Sequence, residues 1–149
     1  MTTRNILLLA LAALCREGSA ATHARFDLAT PAGGPFPSDK FDLVISSAVL
    51  HFARDRQHFD QMLNEMWRVL KPGGMLFARL ASSIGIEKLI KPRGKGHFLL
   101  PDGTERFLVD EGILAAATER LGARRLEPLK TTNVENLRCM TTWVVGKAA

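Results

Sequence analysis

The chain has 149 residues, which is enough for one domain around a single hydrophobic core. Hydrophobic residues make up 46% and charged residues 23%, close to the average of folded globular proteins, so a disordered or fibrous chain is excluded. The 20 Lys and Arg residues exceed the 15 Asp and Glu residues, but this net charge of +5 is too dispersed to indicate a nucleic-acid-binding protein.

An apolar run from Ile6 to Cys15 lies near the start of the chain. The run predicts a buried helix that ends at Gly18. Its basic start at Arg4 and the small residues beyond it also fit a secretory signal, which would make this a small exported protein. The run is too short to cross a bilayer, which takes about 20 apolar residues, and no other stretch predicts a membrane segment.

A strand–helix–strand unit is predicted in the middle of the chain, after a short strand over Thr22–Leu28. Phe41–Ser47 is almost continuously apolar and predicts a strand buried on both faces of a parallel sheet. Arg56–Leu70 has apolar residues at helical spacing on one face, and the Lys71–Gly74 turn predicts its end. Met75–Leu80 predicts the next strand, so the two strands should be parallel neighbours joined by the helix.

The last third of the chain predicts a hairpin, a helix and a pair of strands. Leu99–Thr104 has the composition of a turn between two short apolar runs. Asp110 predicts the N-cap of a helix that ends before Gly122. Ala123–Lys130 and Leu137–Lys147 predict antiparallel strands that are joined through the polar segment between them.

Histidines are the first residues to consider for chemistry. His51, Asp55 and His58 have the spacing that would place them on one side of a continuous helix. No further ligand is evident and neighbouring arginines add positive charge, so no metal site is predicted. His51 follows the predicted strand Phe41–Ser47, and ligands of open α/β sheets bind beyond the carboxyl ends of strands. A ligand-facing role and a histidine satisfied by loop packing both remain open.

Three other kinds of site are not indicated. The sequence has no Gly-x-Ser-x-Gly nucleophile elbow. Gly94-Lys95-Gly96 does not follow a predicted strand, which argues against a dinucleotide-binding loop. Cys15 and Cys139 lie far apart without Cys-x-x-Cys spacing, so neither a disulfide framework nor a zinc site is expected. The expected location is the reducing cytoplasm.

Four short motifs follow one another over residues 26–74. They are Phe26-Asp27, the run from Pro35 to Val44, Val49-Leu50-His51-Phe52, and the run from Glu65 and Arg68 through Lys71-Pro72-Gly73-Gly74. In this order and spacing they resemble the class I S-adenosylmethionine-dependent methyltransferases, of the methyltransferase type 11/12-like kind. The resemblance implies one partial methyltransferase domain over residues 1–149. Its fold class would be three-layer α/β, with a Rossmann-like, mostly parallel sheet and an antiparallel C-terminal hairpin.

The family's sheet has the strand order 3-2-1-4-5-7-6, in which strand 7 is antiparallel. The resemblance implies that Thr22–Leu28 is strand 3, Phe41–Ser47 strand 4 and Met75–Leu80 strand 5, with the terminal pair as strands 6 and 7. Strands 1 and 2 have no counterpart, so an N-terminally truncated domain is expected, and the apolar start becomes an ordinary family helix. Strand 4 would then have an unpaired edge, and either Thr22–Leu28 or a partner chain, such as a second copy, is expected to cover it.

The resemblance also implies S-adenosylmethionine as the cofactor. Four residues match cofactor-binding positions of the family, two beside the adenine and two at the methionine arm: Asp27, Leu28, Ser46 and Ser47. The Asp27 carboxylate would accept from the adenine amine, and Leu28 would pack on the ring. The family's Gly-x-Gly loop has no counterpart, and its loss would weaken or abolish cofactor binding because it allows close backbone approach.

The function implied by the resemblance is transfer of a methyl group to a small-molecule acceptor, with no nucleic-acid or membrane partner. His51 and Arg79 fall on the expected substrate side. Methyl transfer depends mainly on aligning donor and acceptor, so the lack of an evident general base is no objection. The alternative from another class is a non-catalytic remnant or interaction module that keeps the fold without binding the cofactor.

Overall fold

The structure is a computed structural model that describes residues 6–10 and 36–149. In chain order its elements are β1 (Ile6–Ala10), β2 (Phe41–Ser47), a 3₁₀ helix (Leu50–Phe52), α1 (Arg56–Val69), β3 (Leu70–Ser82), β4 (Lys91–Gly94), β5 (His97–Leu99), β6 (Glu105–Phe107), α2 (Glu111–Arg120), β7 (Arg124–Arg125), β8 (Lys130–Val134) and β9 (Arg138–Gly146). The main sheet has the order β1-β2-β3-β9-β7, and β8 also pairs with β9. Strands β4, β5 and β6 form a small antiparallel sheet.

The start of the described chain corrects the helix predicted over Ile6–Cys15. Ile6–Ala10 forms a parallel ladder with β2, in which Ile6 lies opposite Leu43 and Ala10 opposite Ser47. A short apolar run fits a buried strand as well as a buried helix, because periodicity alone does not distinguish them. Hydrogen bonding to β2 makes Ile6–Ala10 a strand rather than a helix.

Strand β2 therefore has neighbours on both sides, β1 and β3, and both ladders are parallel. The unpaired edge expected at this strand is therefore wrong for the described sheet, because β1 covers it. Thr22–Leu28 itself lies outside the described residues. The main sheet is mixed, with parallel ladders between β1 and β2 and between β2 and β3 and an antiparallel ladder between β3 and β9.

Helix α1 confirms the amphipathic pattern of its sequence. The Asp55 carboxylate accepts a hydrogen bond from the His58 N–H at 2.8 Å and caps the first turn. The apolar face of the helix is buried in the main core, with Phe59, Leu63 and Met66 inaccessible to solvent. The helix ends at Val69, immediately before the predicted turn.

Close packing explains the glycine at position 74, two residues after the start of the turn at Pro72. A Cβ at Gly74 would lie 2.7 Å from Leu70 Cδ1, 2.9 Å from the Lys71 carbonyl oxygen and 3.0 Å from the Asp42 carbonyl oxygen. Two of these neighbours are backbone atoms that cannot rotate away. The ladder between β2 and β3 shifts register here, so the turn lies as an irregularity within the longer strand Leu70–Ser82 rather than before a strand that starts at Met75.

Glu65 and Arg68 of α1 hold the turn that leads into β2. The Arg68 guanidinium donates to the Phe36 carbonyl oxygen at 2.7 Å, to Ser38 Oγ at 3.0 Å and to Glu65 Oε2 at 2.9 Å. The Arg68 carbonyl oxygen accepts from the Asp39 N–H at 3.0 Å. These bonds connect the end of α1 to the segment before β2. The motif from Pro35 to Val44 and the motif from Glu65 to Gly74 therefore contact each other.

The C-terminal strands confirm antiparallel pairing and correct its boundaries. β9 lies antiparallel to β3 in the interior of the main sheet. The segment predicted as one strand over Ala123–Lys130 instead forms the short β7, and β8 extends to Val134 through residues expected to form the connection. Polar residues suit β8 because it is mostly exposed, and Thr131 Oγ1 lies 2.7 Å from Thr141 Oγ1 across the ladder.

Helix α2 and the hairpin before it match their predictions. Asp110 caps α2 by accepting from the Ile113 N–H at 2.7 Å, and Trp143 of β9 packs in the core with its Nε1 3.3 Å from Thr118 Oγ1. The predicted turn at Leu99–Thr104 joins β5 to β6. In the described part of the chain, no helix is long and apolar enough to cross a membrane.

Candidate functional site

A cavity of about 260 Å³ lies beyond the carboxyl ends of β2 and β3, between the main sheet and the small sheet β4–β6. Arg79 and Ala81 of β3 contribute to one side, and Arg106 of β6 contributes to the other. Ligands of open α/β sheets bind at this edge. The cavity therefore lies where the fold places a binding site.

A sharp turn after β2 brings His51 to the cavity. Ala48 has a left-handed backbone conformation, with φ +58°, and its N–H donates to the Arg79 carbonyl oxygen at 2.8 Å. The 3₁₀ helix Leu50–Phe52 then turns the chain back, so that His51 lies beside β3. This path makes both predicted substrate-side residues, His51 and Arg79, part of one cavity wall.

His51 is buried, and its two ring nitrogens have different surroundings. Nδ1 accepts from the Ala81 N–H at 3.1 Å. Burial, followed by the positive charges of Arg106, Arg79 and Arg138, lowers the pKa of His51 to about 4. The ring is therefore neutral at pH 7, and because Nδ1 is an acceptor, the proton is assigned to Nε2. His51 is thus satisfied by local packing through one nitrogen and keeps an N–H donor on the other.

Three arginines and one carboxylate give the cavity its charge. Arg79, Arg106 and Arg138 line it together with Asp102. Burial raises the pKa of Asp102, but hydrogen bonds from the Thr104 hydroxyl and N–H, with the charges of Arg138 and Arg106, hold the pKa below its ordinary value. Asp102 is therefore ionised at neutral pH, and the three guanidinium groups leave an excess of positive charge.

The predicted cofactor residues are only partly within the described chain. Ser46 and Ser47 form the carboxyl end of β2, where Ser46 lies opposite Leu9 of β1 and Ala78 of β3. Ser46 is 1% exposed, and its buried hydroxyl has no hydrogen-bond partner in the described part of the chain. A buried hydroxyl without a partner is unusual and fits a polar group of a ligand at this end of the sheet. Asp27 and Leu28 lie outside the described residues.

The spaced residues His51, Asp55 and His58 do not come together as a ligand set. Asp55 is occupied as the cap of α1, and His58 Nδ1 accepts from the Arg54 N–H at 3.0 Å. The helical continuity that would align the three is missing, because the 3₁₀ helix ends at Phe52 and α1 begins at Arg56. Within residues 6–10 and 36–149, no group of three or more His, Cys, Asp or Glu side chains is arranged to hold a metal ion.

Sequence reasoning did not find Asp102, Arg106 and Arg138 as site residues. They lie far from His51 along the chain, in a turn, in β6 and at the first position of β9. No local sequence motif distinguishes these three residues from the other charged residues of the chain. Strand pairing alone brings them to the same cavity.

The α/β fold with its mixed sheet matches that of S-adenosylmethionine-dependent methyltransferases in solved structures. Residues 9–78 match the family model described as a methyltransferase domain, which is just under half of the chain. The resemblance predicted from the four motifs is confirmed by this match, and the fold by solved structures.

Particular relatives have the following likeness to the chain. The ubiquinone/menaquinone biosynthesis C-methyltransferase UbiE of Laribacter hongkongensis is 55% identical over 42 residues, which are 28% of this chain and 16% of that protein. An S-adenosylmethionine-dependent methyltransferase of Methanosarcina mazei has a TM-score of 0.62 at 18% identity, covering 76% of this chain and 62% of that one. The 1,6-didemethyltoxoflavin-N1-methyltransferase of Burkholderia thailandensis, solved with 1,6-didemethyltoxoflavin and S-adenosylhomocysteine, has a TM-score of 0.55 at 12% identity, covering 75% and 46%. The matched region thus spans less than two thirds of each relative.

Proposed function

We propose that this chain transfers a methyl group from S-adenosylmethionine to a small-molecule acceptor, and that the cavity beyond β2 and β3 receives the acceptor. The observation that carries the proposal is the position of this cavity, which is lined by Ala48 directly after the end of β2, at the edge where open α/β sheets bind their ligands. Its volume of about 260 Å³ is slightly below the roughly 300–1,000 Å³ of pockets that hold drug-sized ligands. A small acceptor is therefore expected.

The residues present at the end of β2 fit the methionine part of the cofactor. The buried Ser46 hydroxyl lacks a partner in the described chain, and the turn at Ala48 directs the backbone away from the sheet edge. Ser46 and Ser47 would hold the methionine arm, and by resemblance Asp27 and Leu28 would hold the adenine. S-adenosylmethionine supplies an electrophilic methyl group on a sulfonium when it is bound.

The contribution of the chain to the reaction would be orientation of the acceptor. His51 Nε2–H is an uncharged donor at the cavity wall, held in place through the Ala81 N–H on Nδ1. Because its pKa is about 4 and its acceptor nitrogen is occupied, His51 is suited to hold an acceptor atom rather than to remove its proton. Alignment of donor and acceptor accounts for much of the rate enhancement available to such a reaction.

Other parts of the proposal follow from the same comparisons. The family match and the preserved cavity favour a methyltransferase over a remnant that keeps only the fold. A relative named for C-methylation and a neighbour named for N-methylation differ in acceptor atom, so the proposal names a small molecule without choosing the atom. Cys139 is a buried free thiol, in keeping with the reducing cytoplasm that we propose as the location.

Isothermal titration of S-adenosylmethionine and S-adenosylhomocysteine into the purified chain tests the proposal. Binding with a Kd near 1 μM, about −8 kcal/mol, is expected. The absence of both binding heat and a thermal shift at millimolar ligand would refute the proposal. Ser46→Ala should weaken binding by about three- to tenfold if its hydroxyl bonds the cofactor. Ser83→Ala is the matched control, since the Ser83 hydroxyl already lies 3.4 Å from the Val109 carbonyl oxygen. Equal affinities of the two variants would remove Ser46 from the site.

A further inference from the structure

The guanidinium groups of the cavity outnumber its carboxylates in the described part of the chain, with Asp102 as the acidic residue among the lining side chains. Among the residues that the structure describes, no ion pair involves Arg79, Arg106 or Arg138. Asp102 shares the cavity, but no described ion pair joins it to these arginines, and its carboxylate accepts both hydrogen bonds from Thr104. Three guanidinium groups against one carboxylate leave a net positive charge on the cavity, and an anion that enters it would reduce the repulsion among the arginines.

Arg106 is also held in position before any ligand arrives. Its guanidinium lies over the Phe52 ring, 4.9 Å from the ring centroid, and its Nη1 donates to the Glu105 carbonyl oxygen at 2.8 Å. The side chain therefore loses less conformational freedom on binding than a free arginine would. Arg79 and Arg138 approach the same cavity from β3 and β9.

Apolar side chains form the rest of the cavity wall. Leu100 and Met140 are buried at 3% and 8% exposure, and the Phe52 ring continues this apolar surface toward solvent. A fully hydrated ion such as phosphate would leave that surface unused. A flat organic body with one acidic end would fill it and also reach the arginines.

We infer that the cavity binds a small organic carboxylate, whose acidic group contacts Arg79, Arg106 and Arg138 and whose apolar body packs on Leu100, Met140 and Phe52. Guanidinium groups match a carboxylate because they donate two parallel hydrogen bonds to its two oxygens. This inference rests on the proposed function in one respect: the carboxylate would belong to the methyl acceptor. The acceptor atom would then lie near His51 Nε2–H, at the inner end of the same cavity wall.

The test uses benzoate as the probe, benzamide as its neutral analogue and inorganic phosphate as a second oxyanion. Each is titrated into the full chain without cofactor, and the backbone amide signals of Ala81 and Met140 are followed by NMR. Benzoate should shift both signals saturably, with an affinity about tenfold higher than that of benzamide, because only the carboxylate gains charge-assisted bonds. Equal affinities for benzoate and benzamide would overturn the inference. Phosphate binding as tight as benzoate binding would overturn it as well.

Two variants of equal charge change assign the effect to the cavity. Arg138→Gln should weaken benzoate binding about tenfold and leave benzamide binding unchanged, whereas Arg93→Gln, an exposed residue of β4, should change neither. Equal losses in both variants would mean that only the net charge matters, which refutes a defined site. Arg106→Gln provides the same comparison if Arg138→Gln does not fold. If the chain binds S-adenosylhomocysteine but not benzoate, the carboxylate inference is refuted and the proposed function stands. If the chain binds benzoate but not S-adenosylhomocysteine, the proposed function is refuted and the carboxylate site stands.

Discussion

Replacing Arg68 with alanine should destabilise the fold more than replacing Arg120, because Arg68 connects α1 to the turn before β2. The change removes the bonds to the Phe36 carbonyl oxygen, to Ser38 Oγ and to the Glu65 carboxylate. The Glu65 side chain is only 10% exposed, so its charge would lose its arginine in a poorly hydrated place. Breaking a buried ion pair by removing one partner costs about 3–5 kcal/mol.

The lower end of this range applies, because the Arg68 side chain is itself 28% exposed. A loss of about 3 kcal/mol is a large part of the roughly 5–15 kcal/mol that stabilises a typical domain. With a urea dependence of about 1.5 kcal/mol per molar, the unfolding midpoint should fall by about 2 M. Urea unfolding followed by the fluorescence of Trp67 and Trp143 measures this shift.

Arg120→Ala is the control for the loss of a guanidinium. Arg120 donates to Asn64 and Asp60, but its side chain is 37% exposed and that of Asp60 is 29% exposed. Exposed ion pairs contribute about 1 kcal/mol or less, so Arg120→Ala should shift the midpoint by less than about 1 M. If Arg68→Ala costs no more than Arg120→Ala, the turn before β2 does not depend on Arg68 and the reasoning fails.

Two further predictions concern the cavity histidine and the turn after α1. Burial and the nearby arginines lower the pKa of His51 from 6.5 to about 4, so between these pH values the unfolded chain binds a proton that the folded chain does not. Stability should therefore fall by on the order of 3 kcal/mol as the pH decreases through this window. His51→Asn, which keeps an acceptor for the Ala81 N–H, should remove that part of the fall in urea titrations across the window, and an unchanged slope would contradict the assignment. Gly74→Ala should cost about 1–3 kcal/mol through contact with Leu70 and two backbone oxygens. Gly73→Ala has open space around its Cβ but φ +77°, so it should cost about 1 kcal/mol, and the reverse order in thermal unfolding would contradict the packing argument.

Local features of the sequence were sufficient for much of the fold. The caps Asp55 and Asp110, the apolar face of α1 and the turn that ends it act over a few residues, so they predict the same elements with or without the rest of the chain. The parallel pairing of β2 with β3 follows from the helix between them. Four such motifs in order also carried the family resemblance, because their spacing reflects this unit.

Elements whose state depends on a distant partner were not predicted correctly. Ile6–Ala10 is a strand because an edge of β2 is available to it, and Lys130–Val134 is a strand because β9 offers a ladder to an otherwise polar segment. Neither partner is visible in the local pattern. Propensity and periodicity describe single segments, whereas a ladder is a property of two.

The candidate site divides in the same way. His51 was predicted because it follows the strand Phe41–Ser47, and Arg79 because the family resemblance places it on the substrate side, and both inferences need only the local sequence. Arg106 and Arg138 belong to segments that meet the cavity only after the small sheet has packed against the edge of the main one. The charge of the cavity, and with it the kind of acceptor we infer, is therefore decided by tertiary structure, since it depends on side chains that only folding brings together.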